Sequence, residues 1–279
     1  MSTDHHDQDH DGRTPPMSPN EPSTTTDPPT STRSGELLLA DLVARNMLPP
    51  DLSTFITRAI RANLTIVISG SQDSGKTTLL RAMCAEFDPL ESVTTIEAEP
   101  ELHLDQMPDR HRRVHALEVR PGSGERLADG GMAGAVGLDD LARLGRRLNT
   151  ERIIVGEVRG PEILEMFNLL RAGVPGLCTV HASTARMAIN RMGTLALAAG
   201  TTPQFGRDEV AALVDLVVQV AVATDAPGRR HRWVSEVLYL EPDGAGGLAT
   251  TTVWEAGEDR VARLVHMPPA LAEALNWRG

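Results

Sequence analysis

Aromatic side chains are scarce in this chain: three Trp, one Tyr and four Phe make up 3% of 279 residues. Any sizeable core must therefore be built from Leu, Val, Ile, Ala and Met. Cysteine is scarcer still. Cys84 and Cys178 are the only two, far apart and in no metal-ligand spacing, which excludes a disulfide scaffold and predicts two reduced, buried thiols of a cytosolic protein. No apolar run approaches the roughly eighteen residues needed to cross a bilayer, so neither a membrane span nor a signal peptide is expected. Positive charge is in deficit, 27 bases against 38 acids for a net charge of −11, which argues against a nucleic-acid binder held by bulk electrostatics. Finally, Leu, Ile, Val and aromatic rings are absent before Leu37. Such a segment cannot offset its ordering entropy, and residues 1–35 are expected to form a disordered polar tail. Its His5, His6 and His10 are more simply solvated than ligating.

What is present is concentrated in residues 64–78, LTIVISGSQDSGKTT. An apolar β-branched run leads into a glycine turn, and Lys76, Thr77 and Thr78 open a helix. Gly70, Gly75, Lys76 and Thr77 fit the spacing G-x-x-x-x-G-K-[ST] in its strand–loop–helix context. Glycines let the backbone N–H groups close around phosphate oxygens, and the helix aims its positive end at the same charge. Residues Gly70, Ser71, Gln72, Asp73, Ser74, Gly75, Lys76, Thr77 and Thr78 are thus the expected binding loop for ATP. Lys76 would meet the β- and γ-phosphates, and the Thr77 hydroxyl would take a place on Mg²⁺.

The flanking pattern predicts an α/β fold with a mostly parallel sheet. Residues 36–63 read as a helical linker, with helices over 37–46 and 52–62 parted by Pro49–Pro50. Residues 64–279 read as the catalytic domain. Strands are expected over Val93–Glu97, Val114–Val119, Arg152–Glu157 and up to His181, helices over 138–148 and after Gly160–Pro161, and an antiparallel meander beyond Asp208. The glycine-rich stretch Gly130–Gly137 reads as a loop.

In open α/β sheets ligands bind beyond the carboxyl ends of the strands, where Glu97, Glu157 and His181 join the phosphate loop. Glu157, closing an apolar strand, suits the metal and its waters. Glu97 would orient or deprotonate an attacking water, and His181 would sense the γ-phosphate. A solvated strand end is the simpler reading of Glu97, and a structural histidine that of His181. Arg110, Arg112, Arg113 and Arg120 flank the 114–119 strand. They read equally as a solvated face or as a source of arginine for a neighbouring subunit's phosphate, Arg120 being the better candidate.

Together these residues resemble the type II/IV secretion ATPases, and within them the CpaF-like ATPases of tight-adherence pili. The resemblance rests on RIIVGEVRG (Arg152–Gly160), TVHAST (Thr179–Thr184), TIEAEPEL (Thr95–Leu102) and LEVRP (Leu117–Pro121) in that family's Walker-B, His-box, Asp-box and Arg-strand positions. It implies a RecA-like ATPase domain in a hexameric ring of identical subunits. That ring would lie peripheral to the cytoplasmic face of the membrane and drive an integral-membrane pilus or secretion platform, with no nucleic-acid partner. Three local departures stand out: Ala98 where the family has Asp, Ser71-Gln72-Asp73 in place of smaller loop residues, and Asn149 in place of Arg. A fourth is the polar tail standing where the family carries a globular N-terminal domain, which implies a weakened ring.

Overall fold

The computed structural model describes residues 37–125, 133–226, 228–244 and 247–277. The polar tail expected over residues 1–35, and residues 126–132 at the start of the glycine-rich stretch, lie outside them.

Nine strands among the described residues form one sheet: β1 (Ile66–Gly70), β2 (Ser92–Glu97), β3 (Arg113–Glu118), β4 (Arg152–Val155), β5 (Gly176–His181), β6 (Leu216–Thr224), β7 (Arg230–Pro242), β8 (Leu248–Ala256) and β9 (Ala262–Leu264). Their order across the sheet is β3-β2-β4-β5-β1-β6-β7-β8-β9. From β3 to β6 every pairing is parallel, and from β6 to β9 every pairing is antiparallel. The expected C-terminal meander therefore continues the parallel sheet, and β6 is the seam: parallel to β1 on one side, antiparallel to β7 on the other.

Helices cover both faces, so the central strands carry apolar residues on both sides. Ile66 and Ile68 of β1 pack with α1 (Leu39–Ala44), α2 (Pro50–Arg61) and α3 (Lys76–Cys84) in one core. Val67, pointing the other way, packs with α4 (Leu138–Gly145), α5 (Glu162–Arg171), α6 (Ala185–Ala198) and α7 (Pro203–Leu213). The residues read as a linker thus share a core with the phosphate-loop strand; Leu39, Leu52 and Phe55 are wholly or almost wholly buried there. α8 (Pro269–Ala274) adds Leu271 to the same core.

Local signals explain most boundaries. Pro50 takes the first position of α2, where its missing N–H costs nothing, so this helix starts two residues before the expected 52. α5 stops before Gly173, at φ +85°. α4 ends at Gly145, three residues short of the expected 148: the Thr150 hydroxyl donates to the Gly145 carbonyl, and Asn149 turns the chain at φ +51°. Cys84 and Cys178 are buried and unpaired; burial pushes the Cys178 thiol up to about 12 and that of Cys84 higher. Within the mainly aliphatic core Phe55, Trp254 and Trp277 meet edge to face, tying α2 to β8 and the C-terminal end.

Candidate nucleotide site

The carboxyl ends of β1, β2, β4 and β5 open on one cavity of about 1380 Å³. Its floor is the turn between β1 and α3. A Cβ on Gly70 would stand 2.4 Å from Ser74 Oγ and 2.6 Å from the Val220 carbonyl, so no other residue fits beneath this turn. The turn is closed by Gly75 in the left-handed region at φ +99°, and no side chain caps the first turn of α3 that follows. Under the loop lies a buried polar bridge. Ser69 Oγ bonds Gln219 Oε1, and Gln219 Nε2 donates to the Ala182 carbonyl at 3.4 Å. Gln219 lies directly opposite Ser69 in the parallel pairing of β6 with β1, one residue before β6 shifts register against β7.

Lys76 is 7% exposed, and its Nζ donates to the carbonyls of Gly70 (3.2 Å) and Ser71 (2.9 Å). Burial lowers its pKa, against the pull of Glu157, Asp73 and Glu101. Thr77 and Thr78 line the same cavity, whereas Ser74 is fully buried with an Oγ that finds no partner in the protein.

The other strand ends converge here. Glu97, closing β2, is 6% exposed, and its Oε1 accepts from the N–H groups of Glu101 (3.0 Å) and Leu102 (3.1 Å). Burial raises its pKa, and those two N–H groups restrain the rise. Glu157, just past β4, faces His181 at the end of β5 across 3.2 Å and Arg159 across 2.5 Å. The ends of β4 and β5 are tied by Thr179, whose hydroxyl donates to the Gly156 carbonyl at 2.6 Å. Burial, followed by the charge of Lys76, holds the His181 pKa below its ordinary value, so the imidazole is neutral near pH 7.

Lys76, Thr77, Glu97, Glu157 and His181 therefore meet at one opening. Arg120 does not join them. Its Nε donates to the Gly134 carbonyl at 2.8 Å beyond the end of β3, on the sheet edge four strands from β1. Arg113 lies at the opposite end of β3 and pairs with Glu151 at 3.1 Å, so the arginines that flank this strand point to different ends of the sheet. Sequence reasoning missed Arg159, Gln219 and the run Arg229-Arg230-His231-Arg232. The last lines the cavity from the β6–β7 hairpin, and its only signal was a basic run after a Pro-Gly turn.

The residues present fit a nucleotide and a magnesium ion. A buried lysine bonded only to loop carbonyls and an uncapped helix start are what a polyphosphate would satisfy. Thr77 and Glu157 offer hard oxygen ligands. Among the described residues no group of three acidic, His or Cys side chains could hold a metal ion.

The family described as type II/IV secretion system protein matches residues 32–267. This chain belongs to that family. Among its relatives, a Mycobacterium tuberculosis protein named for conjugal transfer is 31% identical over 219 residues, 78% of this chain and 58% of the relative. The type IV secretion system protein PtlH of Bordetella pertussis is 30% identical over 191 residues, 67% of this chain and 53% of that protein. The crystal structure of the VirB11 ATPase from the Brucella suis type IV secretion system, in complex with sulphate, superposes with TM-score 0.57 at 27% identity. That match covers 75% of this chain and 56% of VirB11. The chain spans just over half the length of the curated relatives it matches. Among the described residues no helix is long and apolar enough to cross a membrane.

Proposed function

We propose that this family member is an ATP-hydrolysing motor subunit that energises pilus assembly or protein secretion. It would work at the cytoplasmic face of the membrane, within the CpaF-like, tight-adherence branch. The observation that carries the reading is the convergence of Lys76, Thr77, Glu97, Glu157 and His181 on one cavity at the carboxyl edge of the sheet.

Each residue then has a task that its surroundings support. Lys76 would exchange the Gly70 and Ser71 carbonyls for phosphate oxygens. Thr77 and Glu157 hold the magnesium ion, which when bound neutralises charge on the β- and γ-phosphates. Glu97, with its pKa raised by burial, is poised to orient the attacking water and take its proton. His181, neutral and hydrogen-bonded to Glu157, presents its ring where loss of a phosphate would be felt, directly ahead of α6. Arg120, at the far sheet edge, would serve the neighbouring subunit of a hexameric ring rather than its own phosphate. Such a ring would pass its motion to an integral-membrane platform protein, and the net charge of −11 gives no support to a motor acting on DNA.

A second reading, a nucleotide-binding scaffold with weak turnover, is favoured by one observation. Glu97 Oε1 already accepts two backbone N–H groups, and Ala98 beside it brings no second polar side chain. The deciding experiment is Mg²⁺-dependent ATP hydrolysis across a range of protein concentrations, with Lys76→Ala as control. Turnover rising faster than linearly with concentration and lost in the control supports a ring-forming motor. Tight ATP binding without turnover at any concentration, and with membranes carrying a platform protein added, supports the scaffold.

A further inference from the structure

Asp73 puts a negative charge into a loop meant for anions, at φ +57°. The β6–β7 hairpin meets it from outside. Arg230 approaches Asp73 Oδ2 at 3.3 Å, and Arg232 Nε donates to the Asp73 carbonyl at 2.9 Å. The Arg232 stem also packs against the turn, its Cδ 3.1 Å from where a Cβ on Gly75 would stand. The hairpin is itself pinned by His231 Nε2 and Asp225 Oδ2, 2.7 Å apart.

Both partners of the Asp73–Arg230 pair are more than half exposed, so it adds little to folding. Its effect on a ligand is another matter. Asp73 and Arg230 both line the cavity, and the Asp73 charge is among those that reach Lys76. A carboxylate at this place repels a polyphosphate in proportion to the ligand's charge, and a triphosphate carries about one negative charge more than a diphosphate.

We propose that Arg230 is a charge-balancing residue of the nucleotide site, and that the Asp73–Arg230 pair sets the preference for nucleoside triphosphate over diphosphate. This rests on the nucleotide reading above. Arg232 holds Asp73 within reach, and Arg230 cancels its field.

The test is binding of a non-hydrolysable ATP analogue and of ADP to the full chain, compared with Arg230→Ala, Arg230→Lys, Asp73→Asn and the Asp73→Asn/Arg230→Ala double variant. Arg230→Ala should weaken the ATP analogue by about three- to tenfold and ADP by less, an effect that shrinks at high salt. Arg230→Lys should keep the wild-type ratio of affinities, and the double variant should restore it. If Arg230→Ala weakens both nucleotides by one common factor, or if the double variant stays as weak as the single, the pair is not the determinant. A wild-type chain that binds neither nucleotide overturns the nucleotide reading and this inference together. A wild type that binds both with no rescue by Asp73→Asn overturns only the inference.

Discussion

Glu157 Oε1 and His181 Nε2 lie 3.2 Å apart, so the carboxylate proposed to hold the metal and the imidazole proposed to sense the γ-phosphate touch directly. Burial and the Lys76 charge outweigh Glu157 and keep the His181 pKa below 6.5. The sign follows. The unfolded chain takes up this proton more readily than the folded one, so folding loses stability as pH falls below 6.5 and loses no more once the folded site is protonated. Activity should have an acid limb in the same window, because protonation turns a neutral ring into a cation beside Lys76. A pH profile of kcat/KM should show that limb in the wild type and not in His181→Gln. An unchanged limb in the variant would assign the titration to another group.

Glu97 is held at one oxygen by two backbone N–H groups, one belonging to the buried Leu102. Glu97→Gln keeps an acceptor in place and should fold normally while losing most turnover. Glu97→Ala leaves those donors without a partner and should also lose about 1–3 kcal/mol of stability. Urea denaturation beside steady-state ATPase rates separates the two effects; equal stability of both variants would show the N–H contacts to be unimportant for folding.

Ser69 and Gln219 bond each other under the phosphate loop, both 5% exposed or less. Gln219→Leu strands the Ser69 hydroxyl and should cost about 1–3 kcal/mol, as should Ser69→Ala for the Gln219 carbonyl. Since each single change breaks the same bond, the double variant should cost clearly less than their sum. A double-mutant cycle by chemical denaturation checks this, and strict additivity would remove the coupling.

Phe55 is fully buried, with ring centroids 5.8 Å from Trp254 and 5.9 Å from Trp277. Phe55→Ala should destabilise the chain by about 3–5 kcal/mol and change the tryptophan emission. Fluorescence-detected unfolding measures both at once; a loss below about 1 kcal/mol would mean the cluster collapses onto the gap.

The sequence carries the local signals of this fold in plain view. Gly70 to Thr78, the polar residues at or just past the strand ends (Glu97, Glu157 and His181) and the stop at Gly173 follow from short-range chemistry. The hairpin arginines were not legible. Arg230 meets Asp73 across 157 residues of chain, and nothing in a run of basic residues names the turn it will touch. Gln219 reads as one polar letter in an apolar strand; only the parallel pairing of β6 with β1 sets it opposite Ser69, 150 residues away in the chain. Arg152 begins the β4 motif as a charge, yet it is 2% exposed, stacked 4.7 Å over Phe87 and bonded to Glu91 at 2.8 Å. Burial of that kind depends on which loops close the lower end of the sheet, and no periodicity records it.

β1 is the fifth of nine strands, with four on either side. At the usual strand spacing each edge of the sheet lies about 19 Å from the phosphate loop. One sheet joins β3 to β9, its register shifting beside Gln219 and Val237, so a rigid tilt of its strands about β1 would move both rims at once. A tilt of about 10° there carries either rim through about 3 Å in opposite directions, enough to break or make a hydrogen bond at both ends of the molecule in a single stroke.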